Sequence, residues 1–208
     1  MKIKELLKVS VEELKKFEIE DANLKAKILL SEVLGKGKEY LLIHDNDELS
    51  SEIVDVYNKM IERVKNGEPI QYILNKQEFM GLDFYVDKNV LIPQPDTENL
   101  VEEVIAISED IKKTKNEIRI LDMCTGSCCI SVGLLTFLKE NNIELFEKIN
   151  IVSVDISKDA LDVAKINLEK YNLSDKITLV NSDLFENIQD RFDIIVSNPP
   201  YIKRNEIK

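Results

Sequence analysis

The stretch from residue 118 to 197 constrains this chain most, because short apolar runs alternate there with helical patterns. Residues 118–123 (IRILDM), 150–155 (NIVSVD), 177–180 (ITLV) and 192–197 (FDIIVS) are too short for helices and largely apolar on both faces. Strands buried on both faces belong to parallel sheets covered by helices. Residues 130–139 supply one helix, with Val132, Leu134, Leu135 and Leu138 for burial. A second helix, capped by Ser157, carries Ala160, Leu161, Ala164 and Leu168. Parallel neighbours need such crossovers, and they are right-handed. The expectation is an α/β fold with a parallel sheet of about four strands.

The chain ahead of this block reads differently. Apolar residues at helical spacing run from Ile3 through Leu6, Leu7, Val9, Val11 and Leu14 to Phe17. A second stripe runs from Ala22 to Val33 and stops near Gly35 and Gly37. A third holds Ile53, Val56, Tyr57, Met60, Ile61 and Val64, with Ser50 or Ser51 as N-cap and Gly67 as stop. These helices are expected to pack as a small bundle over residues 1–67. From Glu68 the pattern turns strand-like, with Phe79, Leu82, Phe84 and Val86, then a turn at 87–89, then Val90, Leu91 and Ile92. Residues 68–95 are therefore expected to form a β-hairpin linker. Pro93 and Pro95 stiffen its end, and Asp96 or Thr97 can cap the helix that opens the third region, 96–208.

Composition removes several classes. The 208 residues are 44% hydrophobic and 32% charged, which fits a folded core rather than a disordered chain. No apolar run approaches a membrane span, and residues 1–16 alternate basic and acidic groups without a signal core, so a cytoplasmic protein without membrane contact is expected. The net charge of −11 disfavours direct nucleic-acid binding. Cys124, Cys128 and Cys129 are the only cysteines and His44 the only histidine, a poor set for a disulfide framework or a metal site, so no metal is expected.

Three loops at strand ends carry the chemistry. The first, residues 124–128 (CTGSC), joins a strand to a helix through small residues, as where a cofactor approaches the backbone of a doubly wound sheet. It has neither GxGxxG nor the Gly-Lys-Ser/Thr of a phosphate loop, so a nucleoside cofactor without a phosphate cradle suits it better. A purely structural turn has the same pattern. The second is Asp155, placed to accept both ribose hydroxyls or merely to favour the positive end of the next helix. Beyond it, Asp183 can accept from an adenine amino group and Leu184 can lie against the ring; a polar loop with a buried Leu reads the same. The third is Asn198-Pro199-Pro200-Tyr201. Its prolines remove two N–H donors and leave rigid carbonyl acceptors beside the Asn side chain. An amide or exocyclic NH2 can donate to both acceptors while Tyr201 stacks on the flat target. Holding both N–H bonds aims the nitrogen lone pair at an electrophile without a strong base.

The loop 124–128, Asp155 and the NPPY segment fall in the order used by class I S-adenosylmethionine-dependent methyltransferases, which this chain resembles. Residues 67–98 (GEPIQYILNKQEFMGLDFYVDKNVLIPQPDTE) sharpen the resemblance to the bacterial peptide chain release factor glutamine methyltransferases, the PrmC/HemK family. The resemblance implies a Rossmann-like class I methyltransferase sheet behind the helical domain and hairpin. It implies methyl transfer from S-adenosylmethionine to the glutamine amide of the GGQ motif in class 1 release factors, with the domain 1–67 contacting that protein. The residues it places at the cofactor are Cys124, Thr125, Gly126, Ser127, Cys128, Asp155, Asp183, Leu184 and Asn198. Asn198, Pro199, Pro200 and Tyr201 would bind the glutamine, with Asn198 and Tyr201 catalytic.

Two departures accompany the match. The family has glycine where Cys128 stands, so its side chain is expected to crowd the cofactor or to strain the backbone. Family members continue past NPPY, so the sheet is expected to be incomplete, with Ile194, Ile195 and Val196 poorly covered at an open edge. Two alternatives follow: a DNA adenine methyltransferase, since NPPY suits an adenine amine equally, or an inactive, shortened remnant that acts only as a binding module.

Overall fold

A computed structural model describes residues 1–200. They divide into two compact units, Met1–Asn75 and the remainder from Lys76.

The first unit is all helical: α1 (Ile3–Lys16), α2 (Ala22–Leu34), α3 (Lys38–Ile43), α4 (Ser51–Lys65) and α5 (Ile70–Leu74). Spacings of three and four put Ile3, Leu6, Ser10 and Leu14 on the buried face of α1. Val9 and Phe17 fall off that face and are exposed, as is Val56 on α4, against their placement in the apolar stripes. The Ser10 hydroxyl donates to the Leu6 carbonyl at 2.8 Å and so stays satisfied inside. Ser50 caps α4 as expected, accepting from the Ile53 N–H, and α2 stops at Gly35 with φ +60°. Tyr57 is fully buried between helices and donates its hydroxyl to the Ala26 carbonyl at 3.3 Å. The short helices α3 and α5 escaped the periodicity, because five or six residues do not complete two turns.

The second unit opens with an antiparallel hairpin, β1 (Gln77–Phe79) and β2 (Leu82–Phe84). Met80 and Gly81 make its two-residue turn with φ +51° and +72°, the double left-handed geometry that suits hairpin twist. Asp87 accepts from the Asn89 N–H at 2.9 Å, forming the expected turn, but residues 90–92 form no strand. The helix α6 (Asp96–Ile111) follows. Its N-cap position is Pro95, and neither Asp96 nor Thr97 caps it with a side chain.

The sheet contains β3 (Ile118–Met123), β4 (Ile149–Asp155), β5 (Ile177–Asn181) and β6 (Ile194–Ser197), all parallel, in the order β5-β4-β3-β6. The helices α7 (Cys129–Asn141), α8 (Ile143–Lys148) and α9 (Lys158–Lys170) connect them. Ser157 caps α9 as expected, whereas α8, capped by Asn142, was not anticipated. The hairpin lies against α7 at Gly133, where an added Cβ would stand 3.1 Å from Met80 Sδ and 3.3 Å from a Phe79 ring carbon. Along β6, Ile194 and Val196 are buried, and of its three apolar residues Ile195 alone is exposed, so the edge is better covered than expected. No helix among the described residues is long and apolar enough to cross a membrane.

Candidate functional site

The strand order makes the site. From β3 the chain steps outward to β4 and β5, then returns to β6 on the other side of β3. Crossovers on either side of β3 open a crevice beyond the carboxyl ends of β3 and β6, where doubly wound sheets bind ligands. Three expected segments end there or beside it: the loop 124–128 after β3, Asp155 at the end of β4, and Asn198 just past β6.

The loop is held from below. Asp122, fully buried near the end of β3, accepts from the hydroxyls of Thr125 and Ser131 through one carboxylate oxygen, both at 2.7 Å. Ser131 in turn meets Ser153 of β4 at 2.8 Å. Burial pushes the Asp122 carboxyl up, and the two hydroxyls pull the other way. The Thr125 N–H donates to the Val154 carbonyl at 2.9 Å, which ties the loop to the neighbouring strand. Asn167 of α9 is also fully buried. Its amide bonds both the N–H and the carbonyl of Tyr85 and the carbonyl of Ser127, at 2.7, 2.9 and 2.9 Å. The hairpin exit, α9 and the loop therefore share one side chain. Asn167 was missed from the sequence because a single Asn in a helical pattern carries no signal.

Within the loop every second residue is left-handed: Cys124, Gly126 and Cys128 have φ of +62°, +54° and +65°. For cysteine this conformation costs about 1–2 kcal/mol. Of the two consequences expected at 128, the backbone strain is present. The Cys128 thiol points away from the loop surface, 3.6 Å from Ser153 Oγ, and is fully buried. Burial pushes the Cys128 and Cys129 thiols up to about 12, so both are neutral at pH 7. Cys124 has the same backbone strain, which its sequence context did not announce. A Cβ added at Gly126 would meet no atom within 4 Å, so this side of the loop is open.

Asp155 faces the loop. One carboxylate oxygen accepts from the Gly126 N–H at 2.9 Å, the other from the Ser157 N–H at 3.0 Å. Each oxygen keeps a lone pair for a further donor. Asn181 at the end of β5 bonds the Asp155 and Ile156 carbonyls, joining the next loop to this one. Asp183 and Leu184 follow on that loop; both are exposed, and Leu184 has φ +46°.

Cys124, Thr125, Gly126, Ser127 and Asn198 line one cleft, together with Leu91, Pro93, Gln94 and Thr97. Cys128, Asp155, Asp183, Leu184, Pro199 and Pro200 do not line it. The Asn198 amide nitrogen donates to Thr97 Oγ1 at 2.9 Å. The segment 91–97 had been read as a linker and helix start; its proline-stiffened sequence was the available sign that it is fixed for a purpose. Tyr201 lies outside the described residues. Among the described residues no group of three or more His, Cys, Asp or Glu side chains can hold a metal ion.

Comparison with known proteins assigns this architecture. Residues 5–74 match the PrmC N-terminal domain, and residues 106–208 match the methyltransferase small domain. A bifunctional methyltransferase of Rickettsia prowazekii is 40% identical over 219 residues, which cover 98% of this chain and 41% of that protein. A release factor glutamine methyltransferase of Clostridium acetobutylicum is 40% identical over 210 residues, covering all of this chain and 70% of that protein. The chain thus spans about two fifths of the first relative and 70% of the second. A solved SAM-dependent methyltransferase from Agrobacterium tumefaciens overlaps 60% of this chain and 39% of its own, at 18% identity and a TM-score of 0.45, too distant to add to the assignment. On the identity and coverage of the clostridial protein, this chain belongs to the release factor glutamine methyltransferase family.

Proposed function

We propose that the cleft between the loop 124–127 and Asn198 serves methyl transfer from S-adenosylmethionine to the side-chain amide of glutamine in the GGQ motif of class 1 release factors. The observation that carries this reading is the placement of Asn198, followed by two residues without N–H donors, in the same cleft as an open-sided loop at the switch point of the sheet. The residues present fit the cofactor. Gly126 leaves space above the loop, and Asp155 retains lone pairs for ribose hydroxyls. Cys124, Thr125 and Ser127 border the methionine end. Asp183 and Leu184, one strand further along, border the adenine.

When bound, S-adenosylmethionine supplies an electrophilic methyl group on a positively charged sulfur. The chain's own residues hold the acceptor. Asn198 Oδ1 accepts one N–H of the target amide, and the Pro199 carbonyl takes the other. The amide nitrogen is a weak nucleophile, and fixing both N–H bonds aims its lone pair at the methyl group. The helical unit, similar to the PrmC N-terminal domain, contacts the release factor. The DNA-adenine alternative finds no support in relatives named for release factors.

The test is mass spectrometry of a release factor incubated with the chain and S-adenosylmethionine. The expected product carries one methyl group on the GGQ glutamine. Asn198→Ala should reduce turnover by about 100-fold or more, as expected for a transition-state contact in a preorganised site. Its cofactor affinity should stay within about threefold of wild type, because Asp155 and the loop are untouched. Methylation at another site, or undiminished turnover in the variant, overturns the reading.

A further inference from the structure

Thr97 stands 101 residues before Asn198, on a different element, and its hydroxyl is the partner of the Asn198 amide nitrogen at 2.9 Å. We infer that Thr97 is a positioning residue that anchors the Asn198 amide and so fixes its orientation in the cleft. This rests on the methyl-transfer reading above and extends it to a residue outside the NPPY segment.

A primary amide has two similar-sized ends with opposite hydrogen-bonding character, and only the oxygen can accept from the NH2 of a target amide. Turned the other way, Asn198 would present N–H to N–H and repel the group it must hold. In this structure Nδ2 donates to Thr97, and Oδ1 is the opposite end of the same amide. A hydroxyl can donate as well as accept, so Thr97 fixes where the amide sits, and the N–H groups of the target select its oxygen end.

Thr97 is well placed for this task. It is 7% exposed, so water competes poorly for its hydroxyl. Its backbone N–H donates to the Gln94 carbonyl at 3.0 Å, which fixes the first turn of α6. Its branched side chain has few rotamers, so the hydroxyl wanders little. The prolines at 93 and 95 stiffen the approach. Thr97 lies one residue inside α6, whose N-cap is Pro95, so its hydroxyl has no capping task and is directed at Asn198.

The experiment compares the full chain with Thr97→Val and Thr97→Ser, using S-adenosylmethionine and a release factor. Valine keeps the shape and removes the hydroxyl; serine keeps the hydroxyl. The expected result for Thr97→Val is a kcat lower by about tenfold, the ratio that one net hydrogen bond represents. Its KM for S-adenosylmethionine should stay within about twofold, because the loop and Asp155 are unaltered. Thr97→Ser should restore kcat to within about threefold of wild type. Equal kcat in all three proteins, or a valine defect that serine does not repair, overturns the inference.

A second measurement is independent of turnover: hydrogen exchange of the Asn198 side-chain NH2 by NMR. Protection in wild type and Thr97→Ser that disappears in Thr97→Val supports the orientation. The same exchange rate in all three refutes it, even if wild type transfers no methyl group. Absence of transfer by wild type counts against the methyl-transfer reading itself, so the two failures are distinguishable.

Discussion

Left-handed backbone falls in different places in the two units. In the helical unit it occurs at Glu18, Asp21, Gly35, Gly67 and Asn75, each at or beside a helix end. In the sheet unit it also marks the hairpin turn at Met80 and Gly81, the end of α9 at Asn172, and Leu184, but Cys124, Gly126 and Cys128 place it three times within five residues, at the mouth of the crevice. Buried polar side chains divide the same way. Among the described residues Ser10 is the helical unit's member of that group, against nine in the sheet unit: Thr97, Ser108, Asp122, Thr125, Ser127, Ser131, Ser153, Asn167 and Ser182. The helical unit uses strain to stop helices and packs apolar side chains between them. The sheet unit uses strain and buried hydrogen bonds to hold one loop in one shape. The proposed methyl transfer calls for the second arrangement, because a polar network has fewer alternative packings than an apolar core.

The largest expected effect separates the units by pH. Burial pushes the Tyr57 hydroxyl of the helical unit up to about 12 from 10.0. It pushes the Cys128 and Cys129 thiols of the sheet unit up to about 12 from 9.0. In each case the folded state favours the neutral form and the unfolded state ionises earlier. The stabilisation is therefore complete below the unfolded pKa and is lost as pH rises towards the folded one. At about 1.4 kcal/mol per pKa unit, the loss runs to a few kcal/mol by pH 12. Denaturant unfolding as a function of pH should show the decline starting near pH 9 through the thiols, with Tyr57 adding to it from pH 10. Cys129→Ala should weaken the first part and Tyr57→Phe the second. Superimposable curves for the three proteins would mean that these groups are not shielded as described.

Next in size is Asn167→Ala, which leaves three backbone groups of Tyr85 and Ser127 without their partner. At about 1 kcal/mol for each, the sheet unit should lose about 3 kcal/mol in denaturant unfolding. A loss below about 1 kcal/mol would show water replacing the amide and would remove Asn167 from the support of the loop.

The smallest effect has the opposite sign. Cys128→Gly relieves a left-handed non-glycine residue and should raise stability by about 1 kcal/mol, less the packing lost with the thiol. S-adenosylmethionine should bind somewhat more tightly to this variant. Weaker binding would show that the Cys128–Ser153 contact, rather than the backbone, sets the loop's shape.

Much of this was legible in the sequence, for reasons that differ by region. The strands at 118–123 and 150–155 were readable because both faces are apolar, and the caps at Ser50 and Ser157 because their side chains act locally. The loop 124–128, Asp155 and Asn198 were readable because each follows a strand in an α/β pattern. What escaped were contacts over long separations. Asn167 reaches back 82 residues to Tyr85, and Thr97 reaches forward 101 residues to Asn198. Asp96 or Thr97 reads as a helix cap because an Asp or Thr beside a helix start commonly serves there. Only the fold shows that the partner of Thr97 lies on another strand end.

The most direct test of the division between loop and acceptor site is calorimetric titration of S-adenosylmethionine into the wild-type chain, Asp155→Ala and Asn198→Ala. Saturable binding to wild type is expected, with binding weakened at least tenfold in Asp155→Ala through loss of the proposed ribose contacts, and near wild-type binding in Asn198→Ala. No saturable binding to a wild-type chain that melts cooperatively, or equal affinity in Asp155→Ala and wild type, would contradict that division.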